Sequence, residues 1–271
     1  MPVPVNGGAA PRTRRPSRAQ PERSPRRGDT VALVAYWIFK LVLSPVFILL
    51  WRVRVEGRQH VPAKGAAVLA ANHQSFCDSL FLPLVLRRRV TYVAKAEYFD
   101  SWKTAWFFRA AGQIPIRREG GTTSQRALET ACEVLRSGRL LGIYPEGTRA
   151  PDERLHRGHT GVVRVARACG VPVVPVGISG TRDVQPPGRM FMRPFRRVTV
   201  RFGPPMDFGA GRPLGGEADG SDAEDVEAKE LRVLTDALMG EIATLSGQQY
   251  VDEYATRTRD RTGPPLPSAD A

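Results

Sequence analysis

The sequence predicts an α/β protein with a largely parallel central sheet flanked by helices. Two observations carry that expectation. Short β-rich apolar runs recur from Val55 onward, and helical patterns fall between them. The 271 residues, with 42% apolar content, suffice for one sizeable core, and both ends are too polar to share in it.

Taken in order, residues 1–29 hold many Arg, Pro, Gly and Ser and few large apolar groups, which predicts a disordered basic arm. Residues 30–52 are expected to form an N-terminal membrane-associated helical segment. Val31 to Trp51 is apolar except for Lys40 and Ser44-Pro45, and its 21 residues are long enough to cross a bilayer. A central lysine costs about 2.5–3.5 kcal/mol on insertion scales, and Pro45 biases the residue before it out of the helical region. A bent helix pair lying in one leaflet is therefore an equal expectation. Tyr36, Lys40 and Ser44 fall four apart and line one face, as an in-plane membrane helix requires. Seven arginines between Arg12 and Arg27, with Arg52 and Arg54 beyond the run, favour the cytoplasmic face of the membrane. No small-residue cleavage site follows the run, so it is expected to stay as an anchor.

Residues 53–207 are predicted to be the α/β domain. Strands are expected at Ala67–Ala71, Val90–Ala94, Ile114–Ile116, Leu140–Tyr144, Val173–Ile178 and Val198–Phe202, with helices at Ser79–Leu86, Trp102–Ala111, Thr123–Arg136 and Gly161–Cys169. Residues 208–222 read as a loop, 223–246 as a late acidic amphipathic helix, and 247–271 as a loose tail.

The net charge of +13 is unevenly placed: residues 31–206 carry 27 basic and 11 acidic groups, whereas residues 207–271 carry 6 and 14. A basic body suits nucleic acid, an anionic bilayer or a phosphorylated substrate. No run interleaves basic and aromatic residues as a nucleic-acid module does, so nucleic acid is not the expected partner. Cys77, Cys132 and Cys169 are odd in number and widely spaced, which predicts reduced thiols rather than a disulfide framework or zinc site. The four histidines form no metal-ligand spacing, so no metal is expected.

Chemistry concentrates in four segments. In Asn72-His73-Gln74-Ser75-Phe76-Cys77-Asp78, His73 in a loop with Asp78 in the first helical turn would fold a carboxylate back onto the imidazole. A carboxylate accepting from one ring nitrogen leaves the other as a base near neutral pH. Ser75 and Asp78 also have capping-box spacing. Cys77 offers a competing nucleophile activated by His73. In Tyr144-Pro145-Glu146-Gly147-Thr148-Arg149, Gly147 permits a tight turn and Arg149 has the fork geometry for phosphate. Glu146 either orients Arg149 or accepts a ligand hydroxyl. Gly112 to Arg118 ends in Arg117 and Arg118, a candidate phosphate contact, and in Val171 to Gly177 Pro175 argues for an edge or bulge lining an acyl groove.

Together these segments resemble the glycerolipid acyltransferase family, most closely the 1-acyl-sn-glycerol-3-phosphate (lysophosphatidate) acyltransferases, over about Val53 to Phe202. His73 to Asp78 matches the family's HxxxxD box, and the other three segments its second, Pro-Glu-Gly-Thr-Arg and fourth boxes, in order. The resemblance implies that His73 is the catalytic base, Asp78 its orienting partner, and Arg118, Glu146, Gly147, Thr148 and Arg149 the glycerol-phosphate site, with Pro175 in the fourth box. It implies transfer of a fatty acyl group from acyl-CoA or acyl carrier protein to a membrane lysophospholipid, without a cofactor. The alternatives are another lyso-lipid acceptor or a non-catalytic phospholipid-binding membrane protein.

Overall fold

The computed structural model describes residues 27–95, 113–116, 123–189, 191–209 and 221–256. Helix α1 (Arg27–Leu50) leads into β1 (Arg54–Glu56) and a single 3-10 turn at Arg58–His60. There follow β2 (Ala67–Ala71), α2 (Asp78–Val85), β3 (Val90–Lys95), β4 (Ile114–Ile116), α3 (Thr123–Arg136) and β5 (Leu140–Ile143). The chain continues through β6 (Leu155–His156), α4 (Gly161–Cys169), β7 (Val173–Ser179), a short α5 (Thr181–Val184), β8 (Thr199–Phe202), α6 (Ser221–Ser246) and β9 (Tyr250–Val251). The helix expected at Trp102–Ala111, together with Arg117 and Arg118, lies outside the described residues.

Among the described residues, seven strands form one sheet in the order β1-β8-β7-β2-β5-β3-β4. All neighbours are parallel except β7 and β8, which pair antiparallel from Val176↔Phe202 to Ser179↔Thr199. The central strand β2 shows why the sheet needs cover on both faces. Ala67, Leu69 and Ala71 point into one apolar cluster with Phe81, Leu82 and Val85 of α2. Val68 and Ala70 point into another with Val134 and Leu135 of α3, Val162 and Val163 of α4, and Leu238, Met239 and Ile242 of α6. A strand buried on both faces reads as a continuous apolar run, as these five residues do. Gly177 on β7 lets the end of α6 lie against the sheet, because a Cβ there would meet the Leu245 backbone at 2.3 Å.

Several expectations are corrected. The N-terminal segment is a single helix running through Pro45 rather than a bent pair. Of α1 only Trp37 and Lys40 to Leu50 have described side chains, and among the described residues no helix is long and apolar enough to cross a membrane. Its polar face turns inward: Lys40 Nζ donates to Arg88 O at 3.4 Å and Ser44 Oγ to Leu84 O at 3.3 Å. Burial, with Arg58 nearby, pulls the Lys40 ammonium down to about 8. Part of the tail is not loose, since β9 pairs with β6 and Arg157 N donates to Glu253 O at 3.0 Å. Strands β1, β6 and β9 escape the sequence reading because two or three residues carry no period.

The cysteine expectation is also overturned. Cys132 and Cys169 form a disulfide joining α3 to α4, with Cα atoms 5.6 Å apart, and Cys77 alone is free. Spacing along the chain does not show that the two helices lie side by side on one face of the sheet. Closing a loop between residues 37 apart restricts the unfolded chain by about 4 kcal/mol in the chain-entropy picture. Reduction, or a Cys132→Ser/Cys169→Ser double variant, is expected to lower unfolding free energy by up to that amount. Thermal melts with and without reductant check it, and coincident melts would contradict it.

Candidate active site

Two of the four segments quoted from the sequence, His73–Asp78 and Tyr144–Arg149, meet at the ends of β2 and β5, neighbours paired in register from Ala67↔Leu140 to Ala70↔Ile143. Parallel strands deliver their following loops to one edge of the sheet, so His73 and the Pro145–Arg149 turn arrive together. Two backbone contacts then join the loops. His73 N donates to Glu146 Oε1 at 2.8 Å, and Ala150 N donates to His73 O at 2.8 Å.

Asp78, fully buried in the first turn of α2, reaches back along the loop as expected. Its Oδ2 accepts from His73 Nδ1 at 2.9 Å, Gln74 N at 2.7 Å and Ser75 N at 2.8 Å. Half of the capping box is thus formed, while Ser75 Oγ donates to Gln185 O at 2.8 Å instead of capping α2. The carboxylate serves as helix cap and imidazole partner at once. It fixes Nδ1 as the donor and leaves Nε2 to carry the lone pair. The Gln74 and Ser75 amides are committed to Asp78 and do not face a ligand. Tyr144, an aromatic whose role the sequence did not disclose, stacks on the His73 ring at 3.9 Å and 10° and bonds Ser79 Oγ through its hydroxyl at 2.9 Å.

Glu146 does not orient Arg149. It is 1% exposed, and its second oxygen accepts from His156 N at 3.1 Å, so it bridges two backbone segments. His156 Nε2 in turn lies 2.9 Å from Asp152 Oδ1. Desolvation of Asp152 is outweighed by hydrogen bonds from His156 and Arg154, which hold its carboxyl at about 2. Gly147 takes φ 70°, a left-handed turn, and a Cβ there would crowd His159 Cδ2 at 3.1 Å. Arg149 is exposed, and no hydrogen bond or ion pair holds its guanidinium among the described residues. A cavity of about 360 Å³ opens beside this turn, lined by Tyr144, Pro145, Glu146, Gly147, Thr148 and His159, among others. Tyr144 is the shared wall between cavity and imidazole.

Two candidates are placed elsewhere. Cys77 is fully buried, and desolvation pushes its thiol up to about 12 despite a hydrogen bond to Ser75. No thiolate is available there, so the competing nucleophile is excluded. Pro175 lies in the interior strand β7, beside Ala70 of β2, and its ring packs where a Cβ on Gly203 would come within 2.9 Å. The missing N–H is tolerated because the ladder to β8 is interrupted there: Gly203 N reaches Pro175 O at 2.9 Å and pairing resumes only at Val173↔Met206. The bulge is real, but the side chain is buried in the core and lines no groove.

The sequence reading missed the support for this site. Asn72, fully buried, closes on the Ile178 backbone with both amide atoms, at 2.7 and 2.8 Å, and donates to Gln248 Oε1 at 2.6 Å. Arg182 donates to the carbonyls of Ala150, Pro151 and Asp152, holding the end of the turn. Gln248 is 176 residues from its partner, and no local pattern announces it. Among the described residues no group of three His, Cys, Asp or Glu stands ready to hold a metal ion.

Residues 52–179 match the family model described as Acyltransferase. The chain is 30% identical over 154 residues to a chloroplastic 1-acyl-sn-glycerol-3-phosphate acyltransferase of Arabidopsis thaliana, covering 56% of this chain and 43% of that protein. It is 29% identical over 140 residues to the Bacillus subtilis 1-acyl-sn-glycerol-3-phosphate acyltransferase, covering 51% and 69%. A lyso-ornithine lipid O-acyltransferase of Pseudomonas aeruginosa is 34% identical over 156 residues, covering 57% and 56%. The crystal structure of the 1-acyl-sn-glycerophosphate acyltransferase PlsC from Thermotoga maritima superposes with a TM-score of 0.53 at 26% identity, covering 80% of this chain and 83% of that one. The aligned stretch thus spans under half the length of the plant relative and about half to two thirds of the bacterial ones.

Glu146 yields a pH prediction. Burial raises its carboxyl from 4.5 to about 7, against the lowering by the His73 and His156 amides. The folded state therefore holds this proton more tightly than the unfolded chain. The stabilisation is complete below about pH 4.5 and is lost as pH rises through 7. Glu146→Gln cannot ionise, but its NH₂ faces a donor amide, so it is less stable than wild type in acid. That deficit should narrow by at most about 3 kcal/mol between pH 5 and 8. Paired melting temperatures across that range test it; a constant gap would show that Glu146 does not titrate there.

Proposed function

We propose, with residues 52–179 matching the acyltransferase family model, that this protein transfers a fatty acyl group from a thioester, acyl-CoA or acyl carrier protein, to the free hydroxyl of lysophosphatidate, giving phosphatidate. The observation that carries the reading is the buried Asp78 carboxylate bonded to His73 Nδ1 at 2.9 Å, directly beside the Glu146–Arg149 turn. Binding a phospholipid without chemistry gives no use for an imidazole held in one tautomer.

In this proposal His73 Nε2 removes the hydroxyl proton as the oxygen attacks the thioester carbon. The resulting imidazolium is stabilised by Asp78. Collapse of the tetrahedral intermediate breaks the carbon–sulfur bond, and the proton passes from His73 to the departing thiolate, restoring the neutral base. Arg149 has an exposed guanidinium suited to phosphate oxygens, with the Gly147 and Thr148 backbone beside it. Arg118 is assigned to the same phosphate from the sequence. Since each buried methylene contributes about 0.8 kcal/mol, a long-chain acceptor stays in lipid, so the proposed reaction takes place at a membrane; the arginines flanking the apolar run are the reason to propose its cytoplasmic face.

A second acceptor reading, another lyso-lipid, is favoured by the 34% identity to the lyso-ornithine lipid enzyme. Purified protein incubated with labelled acyl-CoA and either lysophosphatidate or lyso-ornithine lipid separates the two. His73→Ala is expected to lower kcat by about 10²–10⁴-fold while leaving the melting temperature nearly unchanged, and near-normal turnover would refute the base. Arg149→Ala is expected to raise KM for lysophosphatidate by about tenfold or more and to leave a phosphate-free acceptor unaffected. Equal loss with both acceptors would remove the phosphate role.

A further inference from the structure

We propose that the C-terminal residues 250–255 set the length of headgroup this site accepts. Tyr254 holds His159 against the Gly147 turn and Ala255 closes the cavity beside it. The space left takes a glycerol phosphate that ends in a monoester and excludes a headgroup that continues past the phosphate. The inference rests on the acyl-transfer reading and narrows its acceptor.

The cavity of about 360 Å³ is small for a ligand site, since such sites commonly measure roughly 300–1,000 Å³. It therefore suits a headgroup better than a whole lipid. Its near wall is Tyr144, whose ring stacks on His73, and its flank is the turn at Gly147 and Thr148. A headgroup with its hydroxyl at His73 and its phosphate at that turn points its free end at the remaining wall. That wall is His159, Gly161 and Val162 at the start of α4, and Ala255.

The wall is held from three directions. His159 N donates to Pro145 O at 2.8 Å, and the ring edge lies so close to Gly147 that a Cβ there would meet Cδ2 at 3.1 Å. The residue before it, Gly158, is pressed onto α6, where a Cβ would meet Met239 Sδ at 2.7 Å and Arg232 Nη1 donates to Gly158 O at 2.7 Å. From the outside, the Tyr254 ring stacks on the His159 ring at 4.7 Å and 13°. Tyr254 is itself backed by Arg157, whose guanidinium lies 5.3 Å from the ring centroid and whose Nε is 3.3 Å from Asp252 Oδ1.

Backbone pairing fixes the register of this outer layer. Strand β9 pairs with β6 through Leu155↔Tyr250 and His156↔Val251, and Arg157 N continues the ladder to Glu253 O at 3.0 Å. The next two residues are thereby delivered to the cavity mouth. Residues 250–255 lie outside the stretch 52–179 that matches the family model, so that match does not imply the wall they complete. A pocket discriminates between ligands by what it leaves no room for as well as by what it binds.

The test uses the full chain with labelled acyl-CoA or acyl carrier protein, whichever supports transfer. The acceptors are lysophosphatidate and lysophosphatidylglycerol, which differ by one glycerol beyond the phosphate. Wild type is expected to prefer lysophosphatidate. Tyr254 is 47% exposed, and Tyr254→Ala is expected to cut the ratio of the two kcat/KM values by about tenfold, through better use of the longer headgroup. Tyr254→Phe keeps the stack and is expected to keep the wild-type ratio. Ala255→Trp fills the cavity mouth and is expected to raise KM for lysophosphatidate about tenfold, with a smaller change in kcat. Equal losses with both acceptors in Tyr254→Ala would assign the ring to stability alone and overturn the inference, as would a wild-type KM in Ala255→Trp or a wild type that prefers the longer headgroup. Those results in an active protein leave the acyl-transfer reading standing. A wild type idle with both acceptors removes the lysophosphatidate reading and this inference together.

Discussion

The site depends on one buried carboxylate. Glu146 accepts from His73 N with one oxygen and from His156 N with the other, tying the loop after β2 to the end of β6 through the turn after β5. Backbone amides in loops otherwise need water, and a buried loop amide without a partner costs on the order of 1–3 kcal/mol. A single side chain removes that cost at two points and fixes His73 relative to Gly147, Thr148 and Arg149. The return contact, Ala150 N to His73 O, makes the connection two-sided. Glutamate has the reach and the two acceptors this bridge demands, and the price is a charge held away from water.

Asp78 solves a different problem with a shorter side chain. Its position in the first turn of α2 places the carboxylate where helix amides already favour negative charge. Three donors converge on one oxygen, two of them from the backbone of the very loop that carries the imidazole. The aspartate therefore shapes the loop and orients the ring in one arrangement. Tyr144 closes the other side by stacking, so the ring is held from its edge by charge and from its face by packing. Such support on two sides holds the ring as closely as the role of base proposed for it requires.

What the sequence disclosed follows from the range over which each signal acts. Strand and helix periods are local, and they placed β2, β3, β4, α3, α4 and β7 within a residue or so. The proximity of His73 to Asp78 is also local, five residues with a helix start between them. Glu146 was singled out, but its bridge between two backbone amides was not foreseen, because a carboxylate in a glycine turn looks the same whether it faces a ligand or two amides. Pro175 suggested either an edge or a bulge, and only the sheet order shows that β7 has strands on both sides. The Cys132–Cys169 bridge and the Asn72–Gln248 contact depend on how helices are laid across the sheet, which no spacing along the chain encodes.

Sheet order also explains which side of His73 is open. From β2 the chain moves first to the β3–β4 edge, returns to β5, and later crosses to β7 on the other flank of β2. At such a reversal the loops part and leave a crevice. Asn72 fills the β2–β7 half of it by continuing the ladder with its side chain, donating to Ile178 O and accepting from Ile178 N where the strands themselves have stopped pairing. Residues one position further on are thereby directed to the β2–β5 half, where the Glu146 turn and the cavity lie. An asparagine is needed for this, since a side chain must both give and accept a hydrogen bond in the geometry of a peptide group. A leucine of the same size would leave the Ile178 amide and carbonyl buried without partners and free the loop to close toward β7.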